Sequence, residues 1–193
     1  MNKILWGIVG VVAVAAVWVF GSYNSIVALD QSVKTKWADV EGQYQRRMDL
    51  IPNLVQTVKG AANFEQATLA QVVEARARAT QVVIDPNKLD GASLQKFQEA
   101  QGAVGSALGR LLAVSENYPQ LRATENFRDL QSQIEGTENR IAVARKDFNE
   151  TVRSYNTHTT QFPGNMVARM FGFGEKAYFA AEQSAAKAPA VAF

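Results

Sequence analysis

From Ile4 to Phe20 every position is apolar or glycine, and no charge falls between Lys3 and Asp30. A helix of about 20 such residues rises far enough to cross the hydrocarbon core of a bilayer. Trp6, Trp18 and Tyr23 stand near the two ends of the stretch, where amphipathic rings favour the headgroup level. A cleaved signal peptide competes for the same residues, with Asn2–Lys3 as its charged region and Ala13–Val14–Ala15 as its cleavage pattern. Cleavage normally follows the apolar region, and here Val17–Trp18–Val19–Phe20 is still to come, which favours an uncleaved anchor over residues 1–23.

Past the anchor the pattern becomes one-sided. Ile26, Val33, Trp37, Val40, Tyr44, Ile51, Val55 and Val58 recur in steps of three, four and seven, which predicts a helix from about Ser25 to Lys59 continuous with the apolar stretch. Pro52 lies inside it. Without an amide donor, and with its ring against the preceding turn, it predicts a kink near Leu50–Asn53. A second helix, about Asn63–Val83, carries Phe64, Leu69, Val72, Val73, Ala79 and Val83 on its apolar side and ends in the turn Asp85–Pro86–Asn87.

A third helix runs from an N-cap at Ser93 to just before Pro119, with Leu94, Phe97, Val104, Leu108, Leu111 and Leu112 as its stripe. Gly102, Gly105 and Gly109 fall close to one face of it. Glycine inside a helix costs about 1 kcal/mol relative to alanine, so that face is a candidate for close packing of a neighbour. The fourth helix, with Thr124 as a possible cap, carries Phe127, Leu130, Ile134, Ile141, Phe148, Val152 and Tyr155. Four long helices on short links predict an all-α fold: a transmembrane helix continuous with an antiparallel four-helix bundle over residues 24–156.

Residues 157–193 differ in character. Thr157–Thr160 looks like a loop and Phe162–Pro163–Gly164 like a turn. A short apolar segment containing Met166, Met170, Phe171 and Phe173 is expected to dock on the bundle or on a partner. The alanine-rich tail from Ala180 is expected to be mobile in an isolated chain.

Composition narrows the chemistry. The 20 basic and 18 acidic side chains, with Lys3 ahead of the anchor, make no polyanion-binding surface, so no nucleic-acid partner is expected. There is no cysteine, which rules out disulfides and thiolate ligands, and the lone histidine, His158, makes a multi-histidine metal site impossible within one chain. Walker, G-x-S-x-G, H-E-x-x-H and Glu-x-x-His patterns are absent. No catalytic residue, metal or cofactor is therefore assigned.

The polar clusters that remain are candidates for binding or for structure. Arg46, Arg47, Asp49 and Asn53 surround Pro52, where a kink frees backbone carbonyls for Arg47 or Asn53 to satisfy. The structural role, a network holding the bundle in register, is favoured over a ligand site. Glu74–Ala75–Arg76–Ala77–Arg78 fits a solvated helix face. Glu116, Tyr118 and Pro119 mark the corner between the third and fourth helices, with Tyr118 placed to plug the bundle end.

The chain resembles the LemA family over essentially its whole length. The stretches that carry the resemblance are Tyr23–Asn24–Ser25–Ile26–Val27, Trp37–Ala38–Asp39–Val40, and the long string Arg46–Arg47–Met48–Asp49–Leu50–Ile51–Pro52–Asn53–Leu54–Val55. Glu116–Asn117–Tyr118–Pro119, Phe127–Arg128–Asp129–Leu130–Gln131 and Glu138–Asn139–Arg140–Ile141–Ala142 extend it. Where the family often has Gly-Tyr-Ala before His-Glu, this chain has Gly60–Ala61–Ala62–Asn63–Phe64–Glu65, which removes any role built on that tyrosine or histidine.

The resemblance implies a single-pass protein of the bacterial inner membrane with a helical bundle. Charge near the span is almost balanced and leaves the orientation open; the family likeness leans toward a cytoplasmic bundle. It supplies no catalytic residues. Relatives associated with magnetosome membranes imply a role in organising or remodelling membrane. Neighbouring membrane proteases imply the alternative of a sensor or adaptor. The expected partners are the lipid bilayer, further copies of the chain, and a membrane protease or other membrane protein.

Overall fold

A computed structural model describes residues 2–60 and 64–180. Among the described residues the chain is all-α, with six helices: α1 (Asn2–Lys59), α2 (Gln66–Thr80), α3 (Gly91–Ser115), α4 (Pro119–Arg122), α5 (Glu125–Thr160) and α6 (Gly164–Phe171). Four are long, as the periodicity predicts; α4 is a single turn opened by Pro119, whose fixed φ and missing donor suit a helix start.

α1 runs for 58 residues without interruption. Its first part, Lys3–Phe20, contains no buried residue and is long and apolar enough to cross a membrane. Beyond it, every member of the predicted stripe from Ile26 to Val58 is buried. Where the expected kink lies, the helix continues past Pro52.

Several boundaries differ from those the pattern predicts. Phe64 precedes α2 and is buried from outside the helix; the expected start at Asn63 lies outside the described residues. α2 stops at Thr80, and Val73 and Val83 are exposed, because its buried stripe is Leu69, Val72, Ala75 and Ala79. The N-cap of α3 is Asp90, whose carboxylate accepts from the Ser93 N–H at 2.8 Å and from its hydroxyl at 3.0 Å. Ser93 is thus the capped residue and not the cap. Thr157–Thr160 is the last turn of α5 instead of a loop, since the Thr159 and Thr160 hydroxyls fold back onto the Tyr155 and Asn156 carbonyls. The tail beyond Ala180 lies outside the described residues.

Two compact units divide the chain. The first takes residues 1–42 and 142–176. Its core holds Ile26, Val33 and Trp37 of α1 with Phe148, Val152 and Tyr155 of α5 and Val167 and Ala168 of α6. Trp37 meets Phe148 edge-on at 5.7 Å. α6 follows α5 closely at Gly164, where a Cβ would run into the His158 carbonyl oxygen, so only glycine fits. It ends at Gly172, in the left-handed region at φ 76°, and the Phe173 N–H donates back to the Ala168 carbonyl at 2.9 Å.

The second unit takes residues 43–141 and, of the described residues that follow, 177–180. One hydrophobic core gathers Met48, Ile51, Leu54 and Val58 of α1, Leu69 and Val72 of α2, Val104, Leu108 and Leu111 of α3, and Phe127, Leu130 and Ile134 of α5. With Leu121 of α4, five helices thus contribute to a single apolar interior.

Candidate functional site

The proline of α1 has a specific consequence in the second unit. An α-helix pairs each N–H with the carbonyl four residues earlier, so Pro52 leaves the Met48 carbonyl without its donor. Nε of Arg76, reaching from α2, donates to that oxygen at 3.0 Å. Neither Arg47 nor Asn53 fills this role. Arg76 therefore departs from the solvated face expected for it, whereas Arg78 and Glu74 form an exposed pair at 2.6 Å.

One turn earlier, Arg47 is buried, with 3% of its side chain accessible. Its NH1 donates to Glu138 Oε1 of α5 at 2.8 Å, and its NH2 donates to both the backbone oxygen and the side-chain Oε1 of Gln101 in α3, at 2.9 and 2.6 Å. The guanidinium lies 5.0 Å from the Tyr44 ring centroid, and Tyr44 packs edge-on to Phe97 at 5.0 Å. A planar group with several fixed donors suits this task, since one side chain can bind two helices and stack on an aromatic face together. Together Arg47 and Arg76 tie α1 to α2, α3 and α5 through hydrogen bonds as well as through the core.

The other residues predicted around Pro52 stay outside this node. Arg46, Asp49 and Asn53 are exposed, and Asp49 accepts from Gln45 at 2.9 Å on the same helix. At the helix corner Tyr118 packs on Phe64 with ring centroids 4.9 Å apart, Pro119 opens α4, and Glu116 pairs with Arg122 at 2.6 Å on the surface. Of the three α3 glycines, Gly102 and Gly109 face open space, and a Cβ on Gly105 would meet Arg47 at an ordinary 3.8 Å. Among the described residues nothing requires glycine at these positions.

The first unit has a second polar cluster, one the sequence did not single out. After Gly172 the chain is extended, and Asn156 pairs with the backbone of Lys176 twice, donating to its carbonyl at 2.8 Å and accepting from its N–H at 2.9 Å. The Tyr155 hydroxyl donates to the Gly174 carbonyl at 3.1 Å. Lys176 Nζ sits 2.8 Å from Asp30, which Lys34 also contacts at 2.8 Å, and 5.0 Å from the Tyr155 ring centroid. Burial alone would raise the Asp30 carboxyl, but hydrogen bonds and charge from Lys176 and Lys34 outweigh it and hold it below its ordinary value. Burial, with the Asp30 charge adding to it, pushes the Tyr155 phenol up to about 12. Burial likewise raises the Glu41 carboxyl, partly offset by a hydrogen bond from Trp37.

Of the aromatic residues expected at membrane level, Trp6 is largely exposed, Trp18 is less so, and Tyr23 packs against Phe171 and Phe173 at 4.7 and 5.8 Å. Met166 and Met170 point outward from α6 and are exposed. Among the described residues no three His, Asp or Glu side chains gather as metal ligands would.

Among the described residues these features define an all-α protein in which one long helix, apolar at its N-terminal end, continues into packed helices tied together by the buried Arg47 and the half-buried Arg76. The LemA family model matches residues 36–193, and the chain belongs to the LemA family. Similar proteins include Magnetosome protein MamQ 2 of Paramagnetospirillum magneticum, 27% identical over 176 residues, and Magnetosome protein MamQ of Magnetospirillum gryphiswaldense, 28% identical over 174. Each alignment covers 81% of this chain and 64% of the magnetosome protein, so the chain spans a little under two thirds of these relatives. Protein LemA of Metamycoplasma hominis is 22% identical over 163 residues, covering 84% of this chain and 71% of that protein.

Proposed function

We propose that this chain is a bilayer-anchored helical protein without catalysis of its own, which self-associates to organise or remodel membrane or the membrane proteins beside it. One observation carries most of the weight: α1 passes from an uncovered apolar stretch into a fully buried stripe with no break between them. A span joined this way transmits the position of the bilayer directly into the packed domain. The Arg47 node favours structure over chemistry, because both terminal nitrogens already donate to Glu138 and Gln101, although the buried Nε has no partner among the described residues.

Self-association draws support from the α3 face at Gly102 and Gly109, which no neighbour among the described residues covers. Flat helix faces of small residues let backbones of separate helices approach closely. The likeness to magnetosome proteins supports a task at a membrane. The full chain in mild detergent is expected to run as a discrete multimer by light scattering. A single chain at micromolar concentration, with and without added lipid, contradicts the proposal.

A further inference from the structure

We infer that α6 is a second membrane-contacting element, lying in the headgroup region of the bilayer beside the point where α1 leaves it; this rests on the reading of residues 1–23 as an anchor. Ring contacts of Phe171 and Phe173 with Tyr23 fix its level along α1. Tyr23 is three residues beyond Phe20, a rise of about 4.5 Å, so the C-terminal end of α6 sits within one helical turn of the apolar boundary.

The faces of α6 divide accordingly. Val167 and Ala168 are each 1% exposed and serve the core of the first unit. Met166, Met170 and Phe171 are 58%, 69% and 50% exposed, and Phe162, just ahead of the helix, is 79% exposed. Outside the apolar stretch, the other large apolar side chains exposed to this degree among the described residues are single valines, Val73, Val83 and Val143. Exposed apolar side chains are therefore concentrated on α6 and just ahead of it, on the helix whose C-terminal end lies near the apolar boundary. Arg169 is exposed on the same helix, one residue from Met170, and its guanidinium suits the phosphate of a lipid headgroup.

Protein cover also reaches into the anchor at this level. Trp18 is 40% exposed, whereas Val17 and Phe20 on either side of it are 74% and 71% exposed. Aromatic and methionine side chains that meet solvent at one edge and apolar matter at the other are the composition of an interfacial helix. Burial in acyl chains is continuous with that of the anchor, which makes lipid the occupant of this face in preference to a protein partner.

Because the chain contains no cysteine, single cysteines report cleanly. The full chain is placed in nanodiscs with Met166→Cys or Met170→Cys carrying a bimane, and quenching is compared for lipids bearing a nitroxide at the headgroup or deep in the acyl chain. Phe20→Cys reports the anchor, and Ser106→Cys, on the exposed side of α3, reports water. Labels at positions 166 and 170 are expected to quench several-fold more than at 106, and more with the headgroup nitroxide than with the deep one. Quenching at 166 and 170 no greater than at 106, with position 20 quenched, overturns the inference and leaves the anchor intact. An unquenched position 20 overturns the anchor and the inference together. Spin–spin broadening between Met166→Cys nitroxides on separate chains, without lipid quenching, assigns the face to a second copy and overturns it too.

Discussion

The two units of this chain bury a cation in contrasting ways. In the second, Arg47 projects from the interior of α1 and its NH1 and NH2 donors end on two other helices. In the first, Lys176 belongs to an extended segment, and its ammonium ends on Asp30 while Asn156 grips its backbone. The chemistry is similar, a charge-assisted contact plus a side-chain carboxamide, and the second unit repeats the carboxamide device where Gln98 pairs with both backbone groups of Ala180 at 3.1 and 3.3 Å. What differs is what the contact is attached to. A lock between helix interiors opens only when the helices separate, whereas a clip on a terminal segment can open locally. The apolar surfaces differ as well: the second unit closes its core with five helices, and the first leaves Phe162, Met166 and Met170 uncovered.

Substituting the lock should have the largest effect. Arg47→Ala strands the Gln101 acceptors in a buried site and removes the partner of Glu138. Breaking a buried pair costs about 3–5 kcal/mol, and the half-exposed Glu138 puts this case toward the lower end. Urea unfolding of the solubilised chain should show the loss. A change under about 1 kcal/mol would place the lock on a par with a surface pair.

Next in size is the proline gap. Arg76→Ala leaves the Met48 carbonyl without its donor, a loss of about 1–3 kcal/mol for an unsatisfied buried group. Pro52→Ala restores an N–H at the right place in the helix, so Arg76→Ala should cost clearly less in that background. A double-mutant cycle giving no coupling would detach Arg76 from the gap.

The clip should respond locally. Lys176→Ala is expected to shift global stability by at most about 1 kcal/mol, while amide exchange at Lys176 and its neighbours speeds up. Since the folded Asp30 carboxyl lies below its ordinary 3.8, its contribution is present above that pH and is lost as pH falls through the folded value. Acid should therefore loosen the segment. Tyr155 acts at the other extreme: its folded phenol titrates at about 12 against an ordinary 10.0, so its contribution is complete below pH 10 and declines as pH rises toward 12. A phenolic absorbance titration reads this directly.

The smallest effect carries the opposite sign. Gly109→Ala introduces a Cβ into open space and should stabilise the isolated chain by up to about 1 kcal/mol through helix propensity.

The regular parts of both units were legible because an apolar position every three or four residues is enforced by the core it fills. Ile26 to Val58 and Phe127 to Tyr155 are buried throughout, as their spacing predicts. Pro52 was legible as a fault in the helix, since the missing donor belongs to the residue itself. Its remedy was not, because Arg76 lies on another helix and its partner is a backbone atom, which leaves no mark in the sequence. The contacts of Arg47 with Glu138 and Gln101, and of Asp30 with Lys176, escaped because each joins residues far apart along the chain. Thr157–Thr160 misled because threonine favours loops by composition, yet within a helix its hydroxyl bonds the preceding turn.

Assembly is tested most directly by the mass of the full chain in nanodiscs at rising protein-to-disc ratio, measured beside a Gly102→Leu/Gly109→Leu variant. The account predicts discs holding several associated copies for the unsubstituted chain, and single chains of undiminished helix content and thermal stability for the variant. Unsubstituted chains that remain single at every ratio would contradict it.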